Sequence, residues 1–269
     1  MKVRVEDFDD FFLRVETTNR CNYNCSFCPH ERMTRAIGNM SIELFKKIMK
    51  EAANVGIKNI DIRNFGEPLL DNGLEEKISI AKQYGMDYII LTTNASLLTK
   101  DRYVSLANAG LDHISISLSP KKEYMLTRQK SFEIVWANLL DLEPIRNKIP
   151  VTVHIIATEI STEKEILLLE RDLTRIGYKW VRDFIHNWAE GDRIQHDKAC
   201  KRLWDTITIY WDGKVPLCCL DYDGKHILGD LNKKSMSDVI NSEEYMVVRE
   251  QHINHKYPLL CETCNFIKV

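Results

Sequence analysis

The sequence predicts an α/β protein: a partial (β/α)6 TIM-like barrel followed by a small α+β domain. Three observations carry this. Residues 11–190 alternate strand-like and helix-like segments six times, and parallel neighbours need such crossovers. Those six units take about 180 residues, whereas an eight-fold barrel takes about 250, so the barrel is incomplete. The eight cysteines also fall into two groups, Cys21, Cys25 and Cys28 and then Cys200, Cys218, Cys219, Cys261 and Cys264, with none between. That spacing points to two separate thiol sites, one in each part.

In order along the chain, residues 11–18 alternate apolar and polar positions as a strand and lead straight into Cys21. Residues 41–55 place Ile42, Phe45, Ile48, Met49 and Ala52 at helical spacing behind the N-cap Ser41. Residues 59–64 form a second strand, followed by a Gly66-Glu67-Pro68 turn and a helix over 73–83. Residues 88–93 are the third strand, and the helix over 100–109 ends at Gly110. Residues 113–118 are the fourth strand, 132–145 a helix, 151–157 the fifth strand and 162–176 a helix ending at Gly177. Residues 179–186 are the sixth strand. In such a barrel the active site lies at the C-terminal strand ends, which is where the first cysteines fall.

The tail reads differently. Residues 205–210, an Asp212-Gly213 turn and residues 214–217 suggest a β-hairpin, and 235–250 an amphipathic helix before Cys261 and Cys264. The domain boundary is expected in the polar stretch 190–198, giving a barrel over 1–190 and a second domain over 191–269.

Composition excludes several classes. Lys and Arg number 37 against 39 Asp and Glu, a formal charge of −2. No global field therefore draws nucleic acid or an anionic membrane. The 44% hydrophobic content builds a core and the 28% charged content a polar surface. Apolar runs such as residues 166–169 fall far short of the roughly 20 residues of a membrane span. Residues 1–10 lack the apolar stretch of a signal peptide. A cytoplasmic location follows as the expectation, and clustered thiols there point to metal rather than disulfides.

Cys21-x3-Cys25-x2-Cys28 sets three thiolates on one loop, a donor set for zinc, Cu(I) or iron–sulfur clusters. A zinc site needs a fourth ligand, and His30 is the nearby candidate. The alternative is a four-iron cluster with one iron left open. Here the sequence resembles the radical S-adenosylmethionine enzymes, whose motif is Cys-x3-Cys-x-aromatic-Cys, with Phe27 at the aromatic position. Gly66 and Glu67 resemble the family's segment that contacts the methionyl amino group, with Phe65 in place of its first glycine. Asn94, in Thr93-Asn94-Ala95, sits at a family cofactor position, and Ser117 and Arg128 resemble its ribose and carboxylate contacts. The resemblance implies that a [4Fe-4S] cluster donates one electron to S-adenosylmethionine. The 5′-deoxyadenosyl radical so released abstracts hydrogen from a substrate C–H bond.

Cys200, Cys218, Cys261 and Cys264 would form a closed four-thiolate site, zinc by composition alone. Within this family the tail resembles the shortened SPASM, or twitch, domain, which implies a second [4Fe-4S] cluster. Only five residues follow Cys264, so a further cluster is not expected. Residues 65–70, Phe-Gly-Glu-Pro-Leu-Leu, and the order of tail cysteines resemble the dehydrogenases that oxidise 2-deoxy-scyllo-inosamine. This implies oxidation of an alcohol carbon of a carbohydrate or aminocyclitol, with flavodoxin or ferredoxin as electron donor. Epimerisation of a sugar or peptide is the alternative. A peptide role is weakened because about ten residues precede the first strand, too few for a leader-binding domain. A non-redox, zinc-stabilised binding protein is the reading from outside enzymology.

Either Cys218 or Cys219 can supply the tail ligand. If Cys218 does, Cys219 is either a small buried residue or the hydrogen-atom donor of an epimerase. One of Asp221, Tyr222 and Asp223 is a candidate base. Arg182 and His186, at the end of the sixth strand, are expected to face the substrate and to bind an anionic group or take a proton.

Overall fold

The structure, a computed structural model, describes residues 2–8 and 10–268. Its main sheet holds β1 (Phe12–Val15), β2 (Asn59–Ile62), β3 (Tyr88–Thr93), β4 (His113–Leu118), β5 (Val151–Ile156), β6 (Lys179–Asp183) and, from far along the chain, β7 (Thr206–Ile209). The order is β6-β5-β4-β3-β2-β1-β7 and every pairing is parallel. The sheet is covered by α1 (Ile42–Val55), α2 (Leu74–Gln83), α3 (Lys100–Ala109), α4 (Lys121–Arg128), α5 (Phe132–Leu142) and α6 (Glu163–Arg175). Ser41, Thr99 and Thr162 cap α1, α3 and α6, each accepting a backbone N–H with its side chain; Thr162 and Glu165 complete a capping box.

The strands carry two sets of residues because successive side chains point to opposite faces. On one face Leu13, Val15, Ile60, Ile62, Ile114 and Ile116 are wholly buried in the main core cluster. Each contributes about 1.5–3 kcal/mol by leaving water. On the other face Arg14, Thr92, Ser115, Ser117, His154 and Asp183 line a cavity. The fold is therefore an aliphatic layer behind a polar floor, and the floor positions the site.

Three expectations change. The foreseen hairpin over 205–217 is not a hairpin of the second domain. Its turn forms, with Tyr210 N–H donating to the Lys214 carbonyl at 2.9 Å, but its first arm is β7, which pairs with β1. The cause is burial: Ile207 and Ile209 are 1% and 0% exposed, and β1 gains a second neighbour. The barrel sheet thus has seven strands, not six. The second arm, β8 (Lys214–Pro216), pairs antiparallel with β9 (Ile227–Asp230), which the sequence pattern did not reveal. Finally, the helix expected over 235–250 is two, α8 (Met236–Ile240) and α9 (Glu243–Ile253), each with its own serine cap, Ser235 and Ser242. Two short helices complete the tail, α7 (Arg202–Asp205) before β7 and α10 (Leu259–Glu262) at the end. No helix among the described residues is long and apolar enough to cross a membrane.

Candidate active site

At the C-terminal ends of the strands lies a cavity of about 420 Å³. The loop after β1 brings Cys21, Cys25 and Cys28 to its wall. That loop is held from several sides. Ser26 N–H donates to the Thr127 carbonyl on α4 at 2.7 Å, and Tyr23 and Tyr124 share a hydroxyl hydrogen bond of 2.8 Å. Trp188 Nε1–H donates to the Phe27 carbonyl at 2.6 Å. Burial pushes the Cys21 thiol up to about 12 and Cys28 to about 11, and raises Cys25 against the pull of Arg128. The metal-free thiols are thus protonated at neutral pH, and metal binding releases protons. His30 lines the same cavity, but its Nε2 lies 2.7 Å from the Asn19 carbonyl and is held there as a donor. It is not free as a fourth ligand through that nitrogen.

Opposite the thiols stand Gly66, Glu67, Asn94 and Ser117. Gly66 has φ +136°, and a Cβ there would lie 2.4 Å from the Thr18 carbonyl oxygen, so only glycine lets the β2 loop pass the cysteine loop. Glu67 is 1% exposed. Burial pushes its carboxyl up, opposed by Thr93 Oγ1 donating at 2.6 Å, Asn94 N–H at 2.8 Å and Leu69 N–H at 3.1 Å. A carboxylate accepts about four hydrogen bonds, so these three fix its position and leave room for a ligand. Asn94 accepts from Ser96 and donates to Asn22. Arg128 does not line the cavity. It lies behind it, donating to Ser117 Oγ at 2.9 Å with its guanidinium 5.3 Å from the centre of the Phe27 ring. Its position ties the cysteine loop to β4.

A second, much smaller cavity lies in the tail and is lined by Cys200, Cys218, Cys219, Cys261 and Cys264 together with leucines. Burial pushes Cys200 up to about 11 and raises Cys218, Cys261 and Cys264 as well. His196 lies 2.9 Å from the Cys261 carbonyl, and Cys200 N–H donates to His252 Nδ1 at 3.3 Å. Among the described residues no three such side chains converge on a point that a single metal ion would occupy. The thiols stand round a space instead.

The two cavities share a wall made by His186, Arg202, Cys219, Leu220 and Phe266. Cys219 differs from the other seven thiols. Burial raises it, but Arg14, Arg202 and Arg63 outweigh burial and bring it down. Arg202 Nη1 lies 3.6 Å from Cys219 Sγ, and its guanidinium stacks 3.9 Å over Phe266. His186 is pushed down to about 4, by burial first and Arg202 second, so it is a neutral imidazole at the junction. Its Nδ1 is buried without a hydrogen bond among the described residues.

Arg182 is elsewhere. Its side chain turns to α6, where Nε pairs with Glu170 at 2.5 Å and Nη2 with Glu163 at 2.8 Å. The strand alternation sends Asp183 inward in its place, against His154 at 3.1 Å. Asp221, Tyr222 and Asp223 also leave the cavity. Asp221 accepts the Lys225 and His226 N–H groups, Tyr222 binds Glu190, and Asp223 binds Thr34, so all three hold loops. Sequence reasoning missed Arg14, Asp61 and Arg63. Their signal was the two-residue period of β1 and β2, whose register sets Arg14 opposite Asp61.

Residues 15–173 match the family model for the radical SAM superfamily, and residues 200–265 that for an iron–sulfur cluster-binding domain of the SPASM type. The thiol donor sets described above fit that chemistry. Among curated proteins the chain is 34% identical over 130 residues to a probable GTP 3′,8-cyclase of Methanothermobacter marburgensis, covering 47% of this chain and 42% of that protein. It is 30% identical over 173 residues to the GTP 3′,8-cyclase of Clostridium perfringens, covering 62% and 52%. The matches thus span about half the length of these relatives. Among solved structures, BtrN in complex with AdoMet and 2-DOIA aligns over 97% of this chain and 94% of its own, with TM-score 0.68 and 19% identity. At that identity the likeness is one of fold.

Proposed function

Since the chain belongs to the radical SAM superfamily, we propose that it takes a hydrogen atom from an alcohol carbon of a small carbohydrate or cyclitol and completes the oxidation to a ketone. The shared wall between the two thiol-lined cavities carries this reading. A substrate in the larger cavity is one side chain away from the tail thiols, so the electron left after hydrogen abstraction has an acceptor beside it. The fold match to BtrN, solved in complex with AdoMet and 2-DOIA, over 97% of this chain supports the same reading.

In this reading Cys21, Cys25 and Cys28 hold one [4Fe-4S] cluster by three ligands, and Cys200, Cys218, Cys261 and Cys264 hold a second by four. A cluster and S-adenosylmethionine bound at the first site would supply the one-electron chemistry that removes a hydrogen atom. Glu67 and Asn94 orient the methionyl end, Gly66 lets the backbone approach, and Ser117, braced by Arg128, holds the ribose side. Phe27 and the residues of the cysteine loop keep water from the reacting carbon. His186, neutral with a vacant Nδ1, accepts the hydroxyl proton as the carbonyl forms. Flavodoxin or ferredoxin supplies the reducing electron.

Oxidation is favoured over epimerisation by the surroundings of Cys219. Three arginines bring its thiol down from the ordinary range, which works against the S–H form that a hydrogen-atom donor needs. The GTP 3′,8-cyclase relatives carry out a different outcome with the same family machinery. The test is anaerobic reconstitution, iron and sulfide counts, and 5′-deoxyadenosine release with dithionite. About eight irons per chain and cleavage of S-adenosylmethionine are expected. Cys219→Ala that still yields ketone supports oxidation. Ketone-free product with solvent hydrogen at the reacting carbon in wild type overturns it.

A further inference from the structure

Three arginines meet at the end of the larger cavity that adjoins Cys219: Arg14 on β1, Arg63 just past β2 and Arg202 on α7. Arg14 donates through Nε and Nη2 to Asp61 Oδ2 at 3.0 and 2.8 Å, and Arg63 Nε lies 2.6 Å from the same oxygen. Among the described residues no other carboxylate lies within ion-pair distance of any of the three. Arg14 and Arg63 therefore share one buried carboxylate, and Arg202 pairs with none among the described residues. The other acidic groups facing the cavity are engaged, Glu67 by its three donors and Asp183 by His154.

The imbalance is not at the protein surface, where water would absorb it. The Arg14 and Asp61 side chains are 7% and 6% exposed. Arg63 keeps 39% of its side chain accessible, and it lines the cavity. Like charges gathered in a partly closed space repel unless an anion joins them. Cys219 Sγ lies 3.6 Å from Arg202 Nη1 and is a side-chain hydrogen-bond partner of Arg14 as well. The tail cluster would also be anionic, but Arg14 and Arg63 line only the larger cavity, and only Arg202 lines both. That leaves Arg63, whose one ionic partner is the Asp61 oxygen it shares with Arg14, for something within the substrate space.

We propose that this end of the cavity binds an anionic group of the substrate, a carboxylate or a phosphate, with Arg63 as its principal contact and Arg14 behind it. The guanidinium fork suits both groups by paired N–H donors. The substrate is then an acidic or phosphorylated carbohydrate, and a protonated aminocyclitol is disfavoured because its ammonium would add a fourth cation. The anion subsite rests on the hydrogen-abstraction reading only in calling its occupant a substrate.

The test uses the reconstituted holoenzyme with saturating S-adenosylmethionine, probed with inorganic phosphate by 31P NMR line width and with 13C-acetate in parallel. Saturable binding of at least one oxyanion is expected in wild type. Arg63→Gln should weaken it at least tenfold, and Arg63→Lys should recover most of the loss. Which probe binds tighter separates a phosphate from a carboxylate substrate. Equal binding in wild type and Arg63→Gln overturns the proposal, as does no binding of either anion, or 2-deoxystreptamine binding tighter than both. A shift of the tail cluster's reduction potential in Arg63→Gln with oxyanion binding unchanged also overturns it, assigning the arginines to the cluster. Reductive cleavage of S-adenosylmethionine by wild type without any substrate is measured separately. Its failure would remove the radical reading and leave the oxyanion result standing.

Discussion

The two thiol sites are built from the same side chain and differ in everything around it. The first has three cysteines on one short loop, beside an open cavity of about 420 Å³ lined by glutamate, asparagine and serine. The second gathers five cysteines from three distant stretches into a small space walled by leucines. A three-thiol site with polar neighbours leaves a coordination position to be filled by a molecule with polar groups. A ring of thiols in an apolar shell leaves none, and suits storing or passing an electron. Their common wall then matters more than either site alone, because under the proposed oxidation it is where chemistry at one would become charge at the other.

Removing the first site is the strongest way to break this comparison. Replacing Cys21, Cys25 and Cys28 with alanine should abolish 5′-deoxyadenosine formation while iron content falls by about half. Loss of all iron would show that the two sites do not load independently. The next largest effect separates neighbours. Cys218→Ala should lose the tail cluster's iron and visible absorbance, whereas Cys219→Ala should keep both, since only Cys219 faces the arginines. Equal losses would exchange the roles of the pair.

Gly66→Ala sharpens the contrast from the polar side. A Cβ 2.4 Å from the Thr18 carbonyl, at φ +136°, forces the β2 loop off the cysteine loop. Roughly 1–3 kcal/mol of stability is at stake, with weaker S-adenosylmethionine binding and iron in the tail unchanged. Calorimetric binding and iron assay together check it. The smallest effect is acid sensitivity at the wall. His186 is held near 4 when folded, below the ordinary histidine value of 6.5. The unfolded chain therefore binds more protons between those values, and stability falls as pH drops from about 6.5 toward 4. His186→Asn should flatten that slope in urea titrations of the metal-free protein; an unchanged slope would place the proton uptake elsewhere.

Much of this was legible in the sequence. The cysteine triplet, the glycine–glutamate turn, and the bounds of β3, α3 and β4 all emerged from spacing, periodicity and turn chemistry alone. What escaped was set by partners remote in sequence. α4 is half charged, with Lys121, Lys122 and Glu123 in its first turn, and is held by its Tyr124 packing against Tyr23 of the cysteine loop. Arg182 was placed on the wrong face of a five-residue strand because only pairing with β5 fixes the parity. The arginine cluster needs the register of β1 on β2, which no local pattern in the chain states.

The pairing of β7 with β1 has a consequence in time. Phe12 waits for Thr206, 194 residues further on, before its strand has neighbours on both sides. While the chain is being synthesised, that edge of the sheet exposes unpaired N–H and C=O groups until residues 206–209 have emerged. Closing so long a loop makes the last strand a slow contact to form. The first cysteine loop leaves β1 at that same edge, so completion of the sheet and final seating of the three thiols are expected to be late and coupled events. Metal delivered earlier would meet a loop whose supporting strand is still half-paired.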